Sequence, residues 1–103
     1  MALLLALDFG TGGIRSGVYD TASRTMRGQA EVAYPTCQPR PGWAEQNPDD
    51  WWTALTAAVP AAIAQAGSND IAGVCVATTS STVVVCRSDG TPLRPAILWM
   101  DCR

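Results

Sequence analysis

With 103 residues, 48% of them hydrophobic and 16% charged, the chain has the composition of one small folded unit rather than of a disordered segment. Its net charge is −2, and its positive charge rests on scattered arginines (Arg15, Arg24, Arg27, Arg40, Arg87, Arg94 and Arg103) with no lysine. No basic stripe exists for a nucleic acid to follow, and no run approaches the roughly 20 apolar residues that span a bilayer.

Residues 2–9 are apolar almost throughout and lead into Asp8 and Gly10, the pattern of a central strand buried on both faces. No basic residue precedes this run and Asp8 interrupts it, so it reads as a strand rather than a secretion signal. Gly10-Thr11-Gly12-Gly13 predicts a tight turn. Residues 14–19 resume an extended pattern, with Ile14, Ser16 and Val18 on one side. Residues 20–24 form a polar turn, and residues 25–34 a more polar third strand suited to an edge.

Residues 35–48 hold Pro35, Pro39, Pro41 and Pro48 together with Gly42, and are expected to form a long ordered loop or a linker. Asn47-Pro48-Asp49-Asp50 is a helix start: a capping side chain, a proline at the first helical position and two acids at the positive end of the dipole. Trp51, Leu55, Ala58, Val59, Ala62, Ile63 and Ala66 then recur at helical steps as one apolar stripe. Pro60 predicts a kink near Thr56, and Gly67 a stop.

Residues 71–77 form another apolar strand, expected to be buried. Residues 82–87 are a β-branched run, Asp89-Gly90 a hairpin-type turn, and residues 96–100 a short extended segment. The order predicts an α/β fold, a mixed sheet covered by a helix. Cys37, Cys75, Cys86 and Cys102 form no CxxC pair, and no histidine completes a zinc site. Reduced thiols, as in a cytoplasmic protein, are expected.

Asp8-Phe9-Gly10-Thr11-Gly12-Gly13-Ile14-Arg15 carries the chemistry. A carboxylate at a strand end, followed by a glycine turn with a hydroxyl, suits a phosphate site: the glycines admit phosphate oxygens to backbone N–H groups, Thr11 offers a donor, and Asp8 can hold Mg²⁺ directly or through water. The ending of a P-loop is missing, and a strand rather than a dinucleotide-binding helix follows. A plain hairpin turn is the alternative reading of the same residues.

These residues, as Asp8-x-Gly-Thr-x-x-x-Arg15, resemble the first phosphate motif of the FGGY carbohydrate kinases, a family of the ribonuclease H-like, actin-like ATPase superfamily. Residues 41–48 (PGWAEQNP) and residues 93–103 (LRPAILWMDCR) resemble two further segments of that family, in family order, so the resemblance covers essentially the whole chain.

The resemblance implies ATP and Mg²⁺ as cofactors, with Asp8 near the metal and the transferred phosphoryl group. Gly10, Thr11 and Gly12 would face the phosphates, and Arg15 would support the turn. The sugar would lie near the end of the strand finishing at Ala77. The family usually has an Arg-Glu or Met-His pair there, whereas this chain has Ser80 and Ser81 after Thr78 and Thr79, a departure from glycerol and typical xylulose kinases. Trp99 would be an apolar wall and Asp101 an acceptor at the sugar. Set beside these roles are plain packing for Trp43, Trp51, Trp52 and Trp99, a solvated carboxylate for Asp101, a strand-edge turn for residues 78–82, and a surface or loop-pinning role for Glu45.

The implied activity is ATP-dependent phosphorylation of a small sugar, a pentulose such as ribulose or xylulose. The alternatives are a non-catalytic actin-like nucleotide-binding module and an inactive gene remnant. Family members are several times longer, so residues 1–103 are expected to form part of the first domain. The resemblance places the catalytic base downstream, which predicts that these residues alone are inactive. Apolar strands covered on one face only are expected to favour self-association into a homo-oligomer.

Overall fold

A computed structural model describes residues 2–103. Strands β1 (Leu3–Phe9), β2 (Gly13–Asp20) and β3 (Thr25–Ala33) form an antiparallel meander, in the order the turns at residues 10–13 and 20–24 predict. A two-residue strand β4 (Glu45–Gln46) precedes helix α1 (Pro48–Ala66), and β5 (Ile71–Thr78) then pairs parallel to β1. The main sheet has the order β3-β2-β1-β5, so it is mixed. β6 (Ala96–Ile97) pairs antiparallel with β4 as a separate two-stranded ribbon.

Period-2 alternation decides which face is covered. Leu3, Leu5 and Leu7 of β1 and Ile14, Ser16 and Val18 of β2 are buried beneath α1, while Leu4, Ala6 and Arg15 point to the open face. The helix meets this face with Ala54, Ala58, Ala62 and Ala66, all buried, and Trp51, Leu55, Val59 and Ile63 flank that line. The small residues lead because the backbone comes so close: a Cβ placed on Gly28 of β3 would lie 2.0 Å from the Ala62 carbonyl oxygen. Only glycine facing alanine permits that approach.

The helix ends are those read from the sequence. Asn47 Oδ1 accepts the Asp49 N–H at 3.0 Å, and Gly67 at φ 76 closes the helix in the left-handed conformation. Pro60 does not break the helix, which runs unbroken from Pro48 to Ala66. Proline lies here on the exposed side near exposed Thr56, where water can satisfy the carbonyl that loses its helical donor.

Three expectations are corrected. β1 is not buried on both faces: only one face of the sheet is covered, and Leu4 is 39% exposed on the other. The run at residues 71–77 is a strand but not a buried one: α1 lies over β2 and β3, leaving Val74 at 60% and Val76 at 56% exposure. The β-branched run at residues 82–87 forms no strand of its own, and its ladder pairing is limited to the single bridges Val83–Ile97 and Cys86–Pro92. Among the described residues no helix is long and apolar enough to cross a membrane.

Candidate functional site

β1 and β2 are joined by Gly10-Thr11-Gly12, closed by the Gly10 N–H donating to the Gly13 carbonyl at 2.9 Å. Protein donors engage all three carbonyls of this turn. The Tyr34 hydroxyl donates to Gly10, Gln46 Nε2 donates to Thr11 at 2.6 Å, and the Tyr34 N–H donates to Gly12 at 3.1 Å. Their negative ends are thereby removed from competition with an anionic ligand, which favours phosphate at the amide edge of the turn. A Cβ on Gly12 would meet nothing within 4 Å, so this corner is open to approach. Burial, reinforced by the Asp8 carboxylate and opposed by Arg15, pushes the Tyr34 phenol above its ordinary value and keeps it a donor.

Gln46 is the residue that sequence reasoning missed. It is buried, and besides Thr11 its Nε2 donates to Thr36 Oγ1 at 2.9 Å, while its Oε1 accepts the Trp51 indole N–H at 2.8 Å. One amide thus ties the turn to the proline-rich loop and to the first turn of α1. Its place inside PGWAEQNP was the only signal available.

The segment at residues 93–103 runs along that loop. Leu98 N–H donates to the Ala44 carbonyl at 3.0 Å, and Cys102 N–H to the Gly42 carbonyl at 2.8 Å. Buried Glu45 accepts from Arg94 at 2.7 Å and from Arg103 at 2.8 Å, both on Oε2. Glu45 therefore has the loop-pinning role read from the sequence. Arg103 stacks its guanidinium 3.7 Å from the centroid of the Trp43 ring, with Arg40 at 5.1 Å.

Asp101 belongs to this clasp. Its side chain is only 2% exposed, and it accepts from Arg103 Nη2 at 2.7 Å and from the Ala44 N–H at 2.7 Å. The Arg103 side chain, outweighing desolvation, holds this carboxyl well below the usual range. It is neither the solvated carboxylate nor an acceptor on the cleft wall: it pins the Trp99 segment to the loop.

Trp99, carried by that segment, reaches the turn: its indole N–H donates to Thr11 Oγ1 at 3.1 Å. All three sequence segments therefore converge on Thr11. They border a cleft of about 390 Å³ whose lining includes Phe9, Thr11, Trp51, Trp52, Thr79 and Trp99. Thr78 and Thr82 contribute to the same wall, with the Thr79 and Thr82 hydroxyls 3.2 Å apart. Ser80 and Ser81 do not line it. Both are exposed, and Ser81 turns the chain at φ 56.

Asp8 and Arg15 lie on the other side of the turn. They are cross-strand partners on the open face of the sheet, and Arg15 Nη2 and Nε reach Asp8 Oδ2 at 2.7 and 3.1 Å. They border a second depression of about 260 Å³ with Gly17, Met26, Gln29 and Cys75. Both guanidinium contacts fall on one oxygen, which leaves Oδ1 out of the pair, and the side chain is 46% exposed. One such carboxylate fits Mg²⁺ as it binds with a nucleotide, completed by phosphates and water. Among the described residues no cluster of three or more His, Cys, Asp or Glu stands ready to hold a metal alone.

The likeness to known proteins runs through nearly the whole chain. Residues 3–103 match the FGGY family of carbohydrate kinases, N-terminal domain. The chain is 41% identical over 106 residues to a glycerol kinase of Verminephrobacter eiseniae (strain EF01-2), covering 100% of this chain and 20% of that protein. It is 40% identical over 106 residues to a glycerol kinase of Delftia acidovorans (strain DSM 14801 / SPH-1), covering 100% of this chain and 21% of that one. The crystal structure of xylulose kinase from Rhodospirillum rubrum superposes with a TM-score of 0.91 at 30% identity, over 98% of this chain and 21% of that chain. The chain spans about a fifth of the length of these relatives.

Proposed function

Because this chain belongs to the FGGY family of carbohydrate kinases and carries the α/β, actin-like ATPase fold of its structural neighbours, we propose that the protein bearing it transfers the terminal phosphoryl group of ATP to a hydroxyl of a small polyol or ketose. The observation that carries this reading is the convergence of three separate segments on Thr11, with a phosphate-type turn on one side and an aromatic, hydroxyl-lined cleft on the other.

Phosphoryl transfer asks little covalent chemistry of a protein and much positioning and charge stabilisation. The Thr11 and Gly12 amides take the phosphate oxygens, the Gly10 N–H being committed to closing the turn, and Tyr34 and Gln46 hold that edge in shape. Arg15 holds Asp8 in place through its two contacts to Oδ2, so that Asp8 would contribute an oxygen to the Mg²⁺ that accompanies the nucleotide. Trp99 and Trp52 offer apolar faces to the carbon skeleton of the acceptor, and Thr78, Thr79 and Thr82 offer hydroxyls to its oxygens. The base that takes the acceptor's proton belongs, on this reading, to the part of the relatives' length that this segment does not span.

A pentulose is the acceptor we favour: the fold superposes on a xylulose kinase with a TM-score of 0.91, and the hydroxyls of Thr78, Thr79 and Thr82 suit a polyhydroxylated chain.

The test is acceptor-dependent ADP release by the full-length protein over a panel of ketoses and polyols, with Asp8→Asn as the control. Release that requires a pentulose and falls at least 100-fold in the variant supports the reading. Release with glycerol alone moves the substrate, and nucleotide binding without release to any acceptor replaces a kinase with a binding module.

A further inference from the structure

The contact between Trp99 and Thr11 does more than close the cleft. An indole N–H can only donate, so Thr11 Oγ1 at 3.1 Å is the acceptor in this bond. A hydroxyl that accepts on one lone pair from a fixed donor must aim its own proton elsewhere. Among the described residues no acceptor takes that proton, and the Thr11 carbonyl is already engaged by Gln46. The Thr11 O–H is therefore left as a donor with no partner among the described residues, available to a ligand at the turn.

The position of Trp99 is itself fixed from behind. Leu98 is hydrogen-bonded to Ala44, and Asp101 and Glu45 lock Arg103 beside Trp43, so the indole is held by its chain neighbours although Trp99 as a residue is 53% exposed. Its exposed face borders the cleft in which the proposed acceptor lies.

We propose that Trp99 is a positioning residue for the phosphate turn: its indole N–H orients the Thr11 hydroxyl to donate to a phosphoryl oxygen, which couples the acceptor wall to the phosphate site. This rests on the kinase reading above for the identity of the two ligands, but the coupling itself is a property of binding and can be measured without turnover.

The experiment is a double-mutant cycle on MgATP affinity, measured by titration calorimetry on the full-length protein without acceptor. Trp99→Phe keeps an aromatic wall and deletes the N–H; Thr11→Val deletes the hydroxyl. Trp99→Phe should weaken MgATP about fivefold, the worth of one ordinary hydrogen bond. Thr11→Val should weaken it by that factor or more, and the double variant should be no weaker than Thr11→Val. Equal losses from Trp99→Phe in both backgrounds overturn the proposal, as does unchanged affinity in Trp99→Phe.

A second readout holds if a substituted protein folds poorly. The Trp99 indole N–H resonance should move on adding MgATP in the unsubstituted protein and in Thr11→Ser, but not in Thr11→Val; a resonance indifferent to Thr11 overturns the proposal. Absence of MgATP binding sinks both this proposal and the kinase reading. Coupled MgATP binding without phosphoryl transfer to any polyol or ketose sinks the kinase reading alone.

Discussion

Gln46 Nε2 donates to the Thr11 carbonyl at 2.6 Å, joining the proline-rich loop to the turn between β1 and β2 across 35 positions of sequence. The same buried amide accepts from Trp51 and donates to Thr36, so its removal strands several polar groups at once. Gln46→Leu is expected to cost about 1 to 3 kcal/mol, because the Trp51 N–H and the Thr11 carbonyl lose their partner and water from the adjoining cleft replaces it only in part. Urea denaturation of the variant beside the unsubstituted protein measures this. A cost below about 0.5 kcal/mol, the level of an ordinary surface change, would mean that the turn holds its shape without Gln46.

Gly28 is expected to be the least replaceable residue of the sheet. A Cβ there would press on the Ala62 carbonyl at 2.0 Å and on the Ala66 nitrogen at 2.9 Å, both helix backbone that cannot rotate away. Gly28→Ala should therefore destabilise by about 1 to 3 kcal/mol or more as α1 is pushed off β3. Gly73→Ala is the matched control, because its Cβ would meet only the Leu4 side chain at 3.5 Å. Thermal unfolding that treats the two alike would contradict the packing described here.

Ser16 Oγ is buried among Leu7, Ile14 and Val18 with no hydrogen-bond partner among the described residues. Ser16→Ala removes that stranded hydroxyl at little cost in volume, and should range from neutral to about 1 kcal/mol stabilising. A clear loss of stability in the denaturation midpoint would show that the hydroxyl has a partner in solution.

How far these features were legible in the sequence depends on how local they are. The strand order of the meander, the Asn47 cap, the Gly67 stop and the Asp89-Gly90 turn are set by neighbours in sequence, and each appears where the residues indicated. The burial of β5 was misread because an apolar run shows only what a strand could bury, not where the helix lies. The central line of α1 falls on Ala54, Ala58, Ala62 and Ala66 rather than on the bulkier residues, because Gly28, far away in sequence, comes up against the helix backbone at Ala62 and Ala66 and leaves room only for small side chains there. Thr11 and Trp99 were each singled out from their own segment, but their contact spans 88 positions and has no local signature. The burial of Asp101 was not legible for the same reason: nothing near it announces that Ala44 and Arg103 complete its surroundings.

The clasp around Asp101 should give the protein an acid-sensitive component of stability. In the folded protein, the Arg103 side chain and the N–H groups of Ala44 and Arg103 hold the carboxyl well below its ordinary value of 3.8. A depressed carboxyl stabilises the fold fully above the unfolded value and loses that contribution as pH falls below about 3.8 towards the folded value. Asp101→Asn should accordingly lower the denaturation midpoint at pH 6 and narrow its gap to the unsubstituted protein at pH 3. A gap that stays constant between those pH values would place the acid sensitivity elsewhere.

The central claim is that residues 10–12 receive the phosphates of a nucleotide. Amide hydrogen exchange of the full-length protein, with and without saturating MgATP, tests it most directly. The account predicts slower exchange at the Thr11 and Gly12 amides when MgATP is bound, with protection also in the segment that carries Trp99. Nucleotide binding that leaves the exchange of residues 10–12 unchanged, with protection only elsewhere in the protein, would contradict it.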